Sequence, residues 1–240
     1  MGVRLALLGL AVVLALIRSA SAQTEVDAVL ALTVDVSLSM AEDETKLQRN
    51  GYVDAFRDKR IVDAIHAGKL GRIAVCYIEW SSTTDQRVLV DWRIVSDGAS
   101  AAALADELAK APFKTGTTTS ISAGVDFAAR HIHESPFASE RRIIDVSGDG
   151  YSDYGRPMKD SRDAAVAQGI TINGLPVMNP RPAWREQAPP DLDHYYADNV
   201  IGGRGSFYLV IRDLKDFDAA VMQKLILEIA DRRMESPGPG

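Results

Sequence analysis

The feature that most constrains the fold is an apolar run that ends abruptly in a polar motif. Residues 29–34 are apolar apart from one threonine, and the motif Asp-x-Ser-x-Ser follows at once, with Asp35, Ser37 and Ser39 as its polar residues. A nearly continuous apolar run is typical of a strand that is buried on both faces of a parallel sheet. We therefore predict a central strand with Asp35 at its carboxyl end, which is where ligands bind in open α/β sheets.

Strand and helix patterns alternate along the rest of the chain. Further strands are predicted at 72–80, 87–95, 141–147, 170–177 and 206–211. Helices are predicted at 42–65, 99–110, 121–133, 160–168 and 217–233. This alternation predicts an α/β fold with a doubly wound, mostly parallel sheet flanked by helices, in a single domain. Residues 178–197 contain four prolines and are predicted to form an irregular surface segment.

The two ends of the chain have compositions that differ from the folded domain. Residues 1–22 combine a basic start, a 13-residue apolar run and the small-residue site Ala20-Ser21-Ala22. This pattern is typical of a cleaved signal peptide. We predict a signal peptide at 1–22, a folded domain at 23–234 and a flexible tail at 235–240. The protein is then periplasmic or secreted, with no stable membrane span after cleavage.

Composition excludes several other functions. The formal net charge is −6 and no basic run stands out, which argues against a nucleic-acid partner. Cys76 is the only cysteine, so the chain forms no intrachain disulfide and no cysteine metal cluster. The sequence sets no oligomeric state.

Oxygen-bearing side chains follow the ends of predicted strands in three separate places. The first is the Asp-x-Ser-x-Ser motif, the second is the hydroxyl-rich loop at 115–120, and the third is Asp149 in a Ser-Gly-Asp-Gly turn. Carboxylate and hydroxyl oxygens are the ligands that Mg²⁺, Mn²⁺ and Ca²⁺ prefer. Taken singly, each motif also fits a simple turn or helix cap.

Together these motifs resemble the von Willebrand factor type A (integrin I-like) domain and its metal-ion-dependent adhesion site, abbreviated MIDAS. That family has Asp-x-Ser-x-Ser after its first strand, a threonine in a glycine-containing loop and an aspartate in a Thr-Asp-Gly turn. Here Gly148 occupies the position of that last threonine. The resemblance extends from about residue 27 to 230. The stretches Gly-Thr-Thr-Thr-Ser-Ile and Ser-Gly-Asp-Gly also resemble the exported bacterial DUF1194 group, whose name supplies no function.

The resemblance implies a metal site and a binding function. Its expected ligands are Asp35, Ser37, Ser39, Thr119 and Asp149, with Thr118 as the alternative to Thr119. Mg²⁺, or else Mn²⁺ or Ca²⁺, is the expected ion. With only two carboxylates nearby, the ion has an open position for an Asp or Glu of a protein partner. We predict an exported, metal-dependent protein-binding module without catalytic residues.

Two other functions are compatible with the same motifs. The first is that of a metal-dependent hydrolase, which needs a base or nucleophile beside the ion. The second is that of a structural domain in which the site is vestigial. The four histidines are predicted at helix ends or in the irregular segment: His66, His131, His133 and His194. Glu79 and Trp80 are candidates for the rim of the site. Trp184, Tyr195 and Tyr196 either contact a partner or fold back on the domain.

Overall fold

The computed structural model describes residues 23–39, 42–178, 180 and 187–230. They contain a five-stranded mixed sheet. Its strands are β2 (Val29–Asp35), β3 (Ile73–Trp80), β4 (Gln86–Val95), β6 (Arg142–Gly148) and β7 (Ile170–Pro176). They lie in the order β4-β3-β2-β6-β7, and only β4, at one edge, is antiparallel to its neighbour. The predicted signal peptide at 1–22 and the predicted tail at 235–240 lie outside the described residues.

Helices cover both faces of this sheet, as predicted for a doubly wound fold. They are α1 (Glu42–Arg57), α2 (Lys59–His66), α3 (Gly98–Lys110), α4 (Ile121–His133), α5 (Met158–Ala167), α6 (Leu192–Tyr195) and α7 (Phe217–Ile229). One core contains buried side chains of α1, α2, α3 and α7, and the other contains those of α4, α5 and α6. The alternating side chains of β2 divide between them: Leu30 and Leu32 belong to the first core and Val29 and Ala31 to the second.

The predicted helix at 42–65 is wrong in one respect, because it is two helices. Asp58 separates them with an extended backbone (φ −83°, ψ 131°), and its carboxylate accepts a hydrogen bond from the backbone N–H of Arg60. This is an N-cap for α2. The apolar periodicity continues across the break because Ile61 and Ile65 of α2 enter the same core as α1.

The prediction of a regular strand at 206–211 is also wrong. The segment runs parallel to β7 but makes only isolated bridges, Gly174 with Tyr208 and Val177 with Ile211. Between them lies Pro176, which accepts a hydrogen bond from the backbone N–H of Ile211 at 3.0 Å. Proline has no N–H to donate in return, so the ladder is interrupted there.

The prediction of an irregular surface segment at 178–197 fails for its last part. α6 begins at Leu192 and continues into a π-helical turn at Tyr196–Val200. Leu192, Tyr196 and Val200 are all buried in the core that contains α4. Their spacing of four residues is helical. The sequence interpretation gave more weight to the neighbouring prolines. Trp184 lies outside the described residues.

Both ends of the described domain lie at the amino ends of the parallel strands, whereas Asp35 lies at the carboxyl end of β2. The short strand β1 (Thr24–Glu25) pairs in parallel with β5 (Phe137–Ala138), which directly precedes β6. Arg141, also just before β6, donates hydrogen bonds to the backbone carbonyls of Glu228 and Ile229 at the end of α7. None of the helices in the described part of the chain has the length and apolar character that a bilayer crossing requires.

Candidate metal centre

Asp35 is the most deeply placed of the predicted ligands. It is the last residue of β2, between β3 and β6, and its side chain is fully buried. Its Oδ1 accepts a hydrogen bond from the backbone N–H of Ser37 at 2.7 Å, whereas its buried Oδ2 has no hydrogen-bond partner among the described residues. Burial, and then the charge of Asp149, raise the pKa of Asp35 well above 3.8. An ionised carboxylate here lacks the compensation that buried charges ordinarily have.

The two serines of the motif connect this region to Asp149. The hydroxyl oxygens of Ser37 and Ser39 are 3.0 Å apart, and Ser39 Oγ donates to Asp149 Oδ1 at 2.7 Å. Asp149 directly follows β6 and is 1% exposed. The first and third predicted elements therefore meet at the carboxyl end of the sheet. Two carboxylates and two hydroxyls lie together there.

The threonine loop (residues 115–120) is held at the same carboxyl end of the sheet by backbone hydrogen bonds. The N–H of Gly116 donates to the carbonyl of Val36 at 2.6 Å, and the N–H of Ser120 donates to that of Ser81 at 2.7 Å. On the other side, the N–H of Asp153 donates to the carbonyl of Thr119 at 3.0 Å. Thr119 is therefore held between the ends of the strands and the segment that follows Asp149.

A cleft of about 530 Å³ opens over these loops. Its lining includes Ser39, Thr118, Thr119 and Asp149, so both candidate threonines face the same space. Thr119 is buried and Thr118 half-buried. Within the described ranges no three His, Cys, Asp or Glu side chains form a metal-binding group. Any ion here depends on the hydroxyls and on two carboxylates.

This set of side chains fits a hard divalent cation. All five predicted ligands supply oxygen atoms, and the free Oδ2 of Asp35 is a buried acceptor without a partner among the described residues. Asp149 adds a second negative charge close enough to raise the pKa of Asp35. A cation would offset both unfavourable features.

Glu79 and Trp80 are not on the rim, contrary to the sequence suggestion, because both are 1% exposed. Glu79 Oε1 is 2.5 Å from Arg49 Nη2, and its other oxygen accepts from Arg87. The same Arg49 donates to the carbonyl of Ala111 at 2.7 Å. This buried ionic group holds the segment that leads into the threonine loop.

Tyr196 is the residue near the site that the sequence interpretation did not place there. It is fully buried, and its hydroxyl lies 3.1 Å from where a Cβ on Gly148 would be. Burial, followed by the charges of Asp35 and Asp149, raises the pKa of this phenol well above 10.0. Only the helical spacing with Leu192 and Val200 indicates in the sequence that Tyr196 turns inward.

The sheet order, its flanking helices and the position of the site define a von Willebrand factor A-like fold. Solved structures with this fold include a von Willebrand factor type A protein from Catenulispora acidiphila, with 15% identity over 85% of this chain and 43% of that one, at a TM-score of 0.58. BatB from Bacteroides thetaiotaomicron has 19% identity over 85% of this chain and all of that one, at a TM-score of 0.54. Proximal thread matrix protein 1 from the mussel byssus, described as having a zinc-occupied MIDAS motif, has 15% identity over 87% of this chain and 49% of that one, at a TM-score of 0.60.

Within this class, the chain belongs to the family described as Protein of unknown function (DUF1194), whose model matches residues 25–233. Comparison with curated proteins gives no match. The chain spans less than half the length of the Catenulispora and mussel proteins. At these low identities the likeness to solved structures establishes the fold.

Proposed function

We propose that this protein is an exported module that binds a divalent cation and, through it, an acidic group of a protein partner. Asp35, Ser37, Ser39, Thr119 and Asp149 hold the ion. The signal peptide at 1–22 directs the domain at 23–234 to the periplasm or the exterior, and residues 235–240 form its tail.

The buried carboxylate of Asp35 is the observation that carries this proposal. Its Oδ2 has no partner among the described residues, and Asp149 lies near it as a second negative charge. The protein therefore maintains an unfavourable charge arrangement at the edge of the sheet where ligands bind. Strain of this kind is concentrated at functional sites, because the fold retains it only where it is used.

The chain's own residues determine what a bound ion would do. Asp35 and Asp149 supply two negative charges, and the hydroxyls of Ser37, Ser39 and Thr119 supply neutral oxygen atoms. A divalent ion held by these residues would supply a positive charge that could take a further oxygen ligand. A carboxylate of a partner matches that position in charge and chemistry.

Exposed apolar side chains beside the cleft support a protein as the partner. Leu38, between the two serines, is 70% exposed, and Tyr154, across the cleft, is 56% exposed. Large exposed apolar side chains grouped at one place are typical of interaction surfaces. The proposed partner presents an Asp or Glu with apolar residues next to it.

We propose binding rather than hydrolysis because no histidine is among the described residues that line the cleft. His66 contacts the carbonyl of Ser96 at 2.7 Å, and His131 stacks on Trp92. A hydrolase needs a base beside the ion. Of the carboxylates that line the described part of the cleft, Asp149 is a proposed ligand of the ion, so Asp153 alone is left as a candidate base.

Metal titration followed by thermal unfolding tests the proposal. The protein from Gln23 onward is unfolded in EDTA and in increasing Mg²⁺, Mn²⁺, Ca²⁺ or Zn²⁺, as wild type and as Asp35→Ala. A ligand that binds only the folded state adds about 2.7 kcal/mol at a hundredfold excess over Kd. We expect this stabilisation in the wild type and its loss in Asp35→Ala. Asp106→Asn, an exposed aspartate paired with Arg57, is the control and keeps the response.

A second stage tests the open position on the ion. Mn²⁺ bound with exchangeable water accelerates the relaxation of solvent protons, and acetate that replaces such water reduces this effect. We expect acetate to reduce it for the Mn²⁺-loaded wild type. Absence of stabilisation by all four ions would reject the metal site. Stabilisation without an acetate effect would reject the carboxylate partner.

A further inference from the structure

The ring of Tyr196 occupies a slot made by two glycines on neighbouring strands. A Cβ on Gly174 of β7 would lie 2.7 Å from Tyr196 Cδ1, and a Cβ on Gly148 of β6 would lie 3.1 Å from its hydroxyl. The slot therefore exists only because both residues lack side chains. It places the phenol hydroxyl beside Gly148, the residue directly before the predicted ligand Asp149.

The backbone at Tyr196 is unusual as well. A π-helical turn covers Tyr196–Val200, closed by a hydrogen bond from the N–H of Ile201 to the carbonyl of Tyr196 at 3.0 Å. Such turns are rare and are found frequently at functional sites. Here the turn sets the position from which the tyrosine ring enters the slot.

Two buried oxygen atoms without partners among the described residues flank the same point. The Oδ2 of Asp35 and the hydroxyl of Tyr196 each lie 3.1 Å from the Cβ position of Gly148, and neither has a hydrogen-bond partner in the described part of the chain. One is an acceptor and the other is a donor. The two atoms are not hydrogen-bonded to each other here, so a hydrogen bond between them requires one side chain to move. A buried polar pair of this kind calls for an explanation.

The hydroxyl of Tyr196 carries a proton that it can donate, whereas an ionised carboxylate oxygen can only accept. A hydrogen bond from an O–H group to an ionised carboxylate is among the stronger hydrogen bonds in proteins. It stabilises the charged form of the carboxylate, which is the form that binds metal.

We propose that Tyr196 is a positioning residue of the metal centre: with a cation bound, its hydroxyl would donate to Asp35 Oδ2 and orient that carboxylate for the ion. This inference rests on the proposed function. The hydroxyl acts through Asp35 and does not itself hold the metal. Groups that orient metal ligands in this way typically contribute ten- to a hundredfold to metal affinity.

Mn²⁺ binding by calorimetry and thermal unfolding in EDTA test this role in wild type, Tyr196→Phe and Tyr195→Phe. We expect Tyr196→Phe to bind Mn²⁺ about tenfold more weakly or worse. Its midpoint of unfolding in EDTA should be unchanged or higher, because the lost hydroxyl has no partner among the described residues. Tyr195→Phe is the matched control, since its hydroxyl accepts from the N–H of Ser152 at 3.2 Å, and it should bind like the wild type.

Unchanged Mn²⁺ affinity in Tyr196→Phe would overturn the inference and leave the proposed function intact. Failure of Tyr196→Phe to fold in EDTA would overturn it too, because the hydroxyl would then serve the fold. A wild type that binds no Mn²⁺ would overturn both.

Discussion

At the scale of single residues, Asp35 is the clearest case of a side chain whose charge lowers the stability of the fold. Its carboxylate is fully buried at the end of β2, where Oδ1 accepts from the N–H of Ser37 and Oδ2 has no hydrogen-bond partner among the described residues. Burying a charge without full compensation destabilises the folded state. The ionised carboxylate therefore lowers the free energy of unfolding, and the proposed cation would recover that free energy on binding.

Replacing this carboxylate by an amide should stabilise the metal-free protein. Since the folded state raises the pKa of Asp35 above 3.8, it binds a proton more tightly than the unfolded chain does. Stability in EDTA is therefore greatest at low pH and falls as pH rises through the raised pKa. Asp35→Asn removes this loss, and at pH 7 we expect a gain of about 1.4 kcal/mol for each unit of the shift.

Urea unfolding in EDTA at pH 7, with Mn²⁺ stabilisation measured in parallel, checks this expectation. The variant should be more stable without metal and should not respond to Mn²⁺. Ser37→Ala is a useful comparison, because it changes the same loop without removing a charge. A destabilised Asp35→Asn would show that the carboxylate supports the fold.

Local motifs identified some residues of the candidate site before the structure, and long-range packing hid others. Asp-x-Ser-x-Ser and Asp149 predict oxygen ligands at one sheet edge, because strand ends in a parallel sheet lie together. Thr118 and Thr119 remain alternatives, since both line the cleft. Tyr196 was missed as part of the site because its position depends on two glycines of distant strands.

At the scale of secondary structure elements, apolar periodicity predicts which segments are buried better than it predicts where they break. α1 and α2 share one periodic pattern because both pack in the same core. The break is local: Asp58 accepts from the N–H of Arg60, and the chain turns there. The interruption of the pairing between β7 and residues 206–211 is local too. It arises because a single proline lacks the N–H donor that the ladder requires.

Removing the cap at this break should destabilise the domain modestly. Asp58→Ala removes the acceptor for the first turn of α2, and loss of an N-cap costs about 1 kcal/mol. Asp63→Ala, in the same helix, removes an exposed pair with Lys59 and should cost less than about 0.5 kcal/mol. Urea unfolding of the two variants at neutral pH compares them. Equal costs would show that Asp58 has no capping role.

At the scale of the whole molecule, a buried ionic cluster joins α7 to the sheet. Lys224 Nζ of α7 lies 2.5 Å from carboxylate oxygens of both Asp145, on β6, and Glu228. Asn173 of β7 donates to the same Glu228 oxygen at 2.9 Å. Burial, and then the charge of Asp145, raise the pKa of Glu228 to about 7. The attachment of the last helix therefore depends on protonation.

This cluster should make overall stability pH-dependent. The folded state binds the Glu228 proton up to about pH 7, whereas the ordinary value is 4.5, so stability should fall between about pH 5 and pH 8. The loss amounts to about 3 kcal/mol. Glu228→Gln in the Asp35→Asn background isolates this contribution and should flatten the profile. Urea unfolding across this pH range measures it, and equal slopes with and without Glu228 would contradict the assignment.

Both ends of the described domain lie at the amino ends of the parallel strands. This position has a practical consequence for measuring recognition. β1 and the end of α7 are at the amino ends of the parallel strands, whereas Asp35 and Asp149 are at their carboxyl ends. An affinity tag or a sensor chip attached at either end of the domain therefore leaves the cleft pointing into solution. Protein immobilised in this way would keep the cleft accessible, so surface-based screening of acidic peptides is a suitable test of the proposed binding.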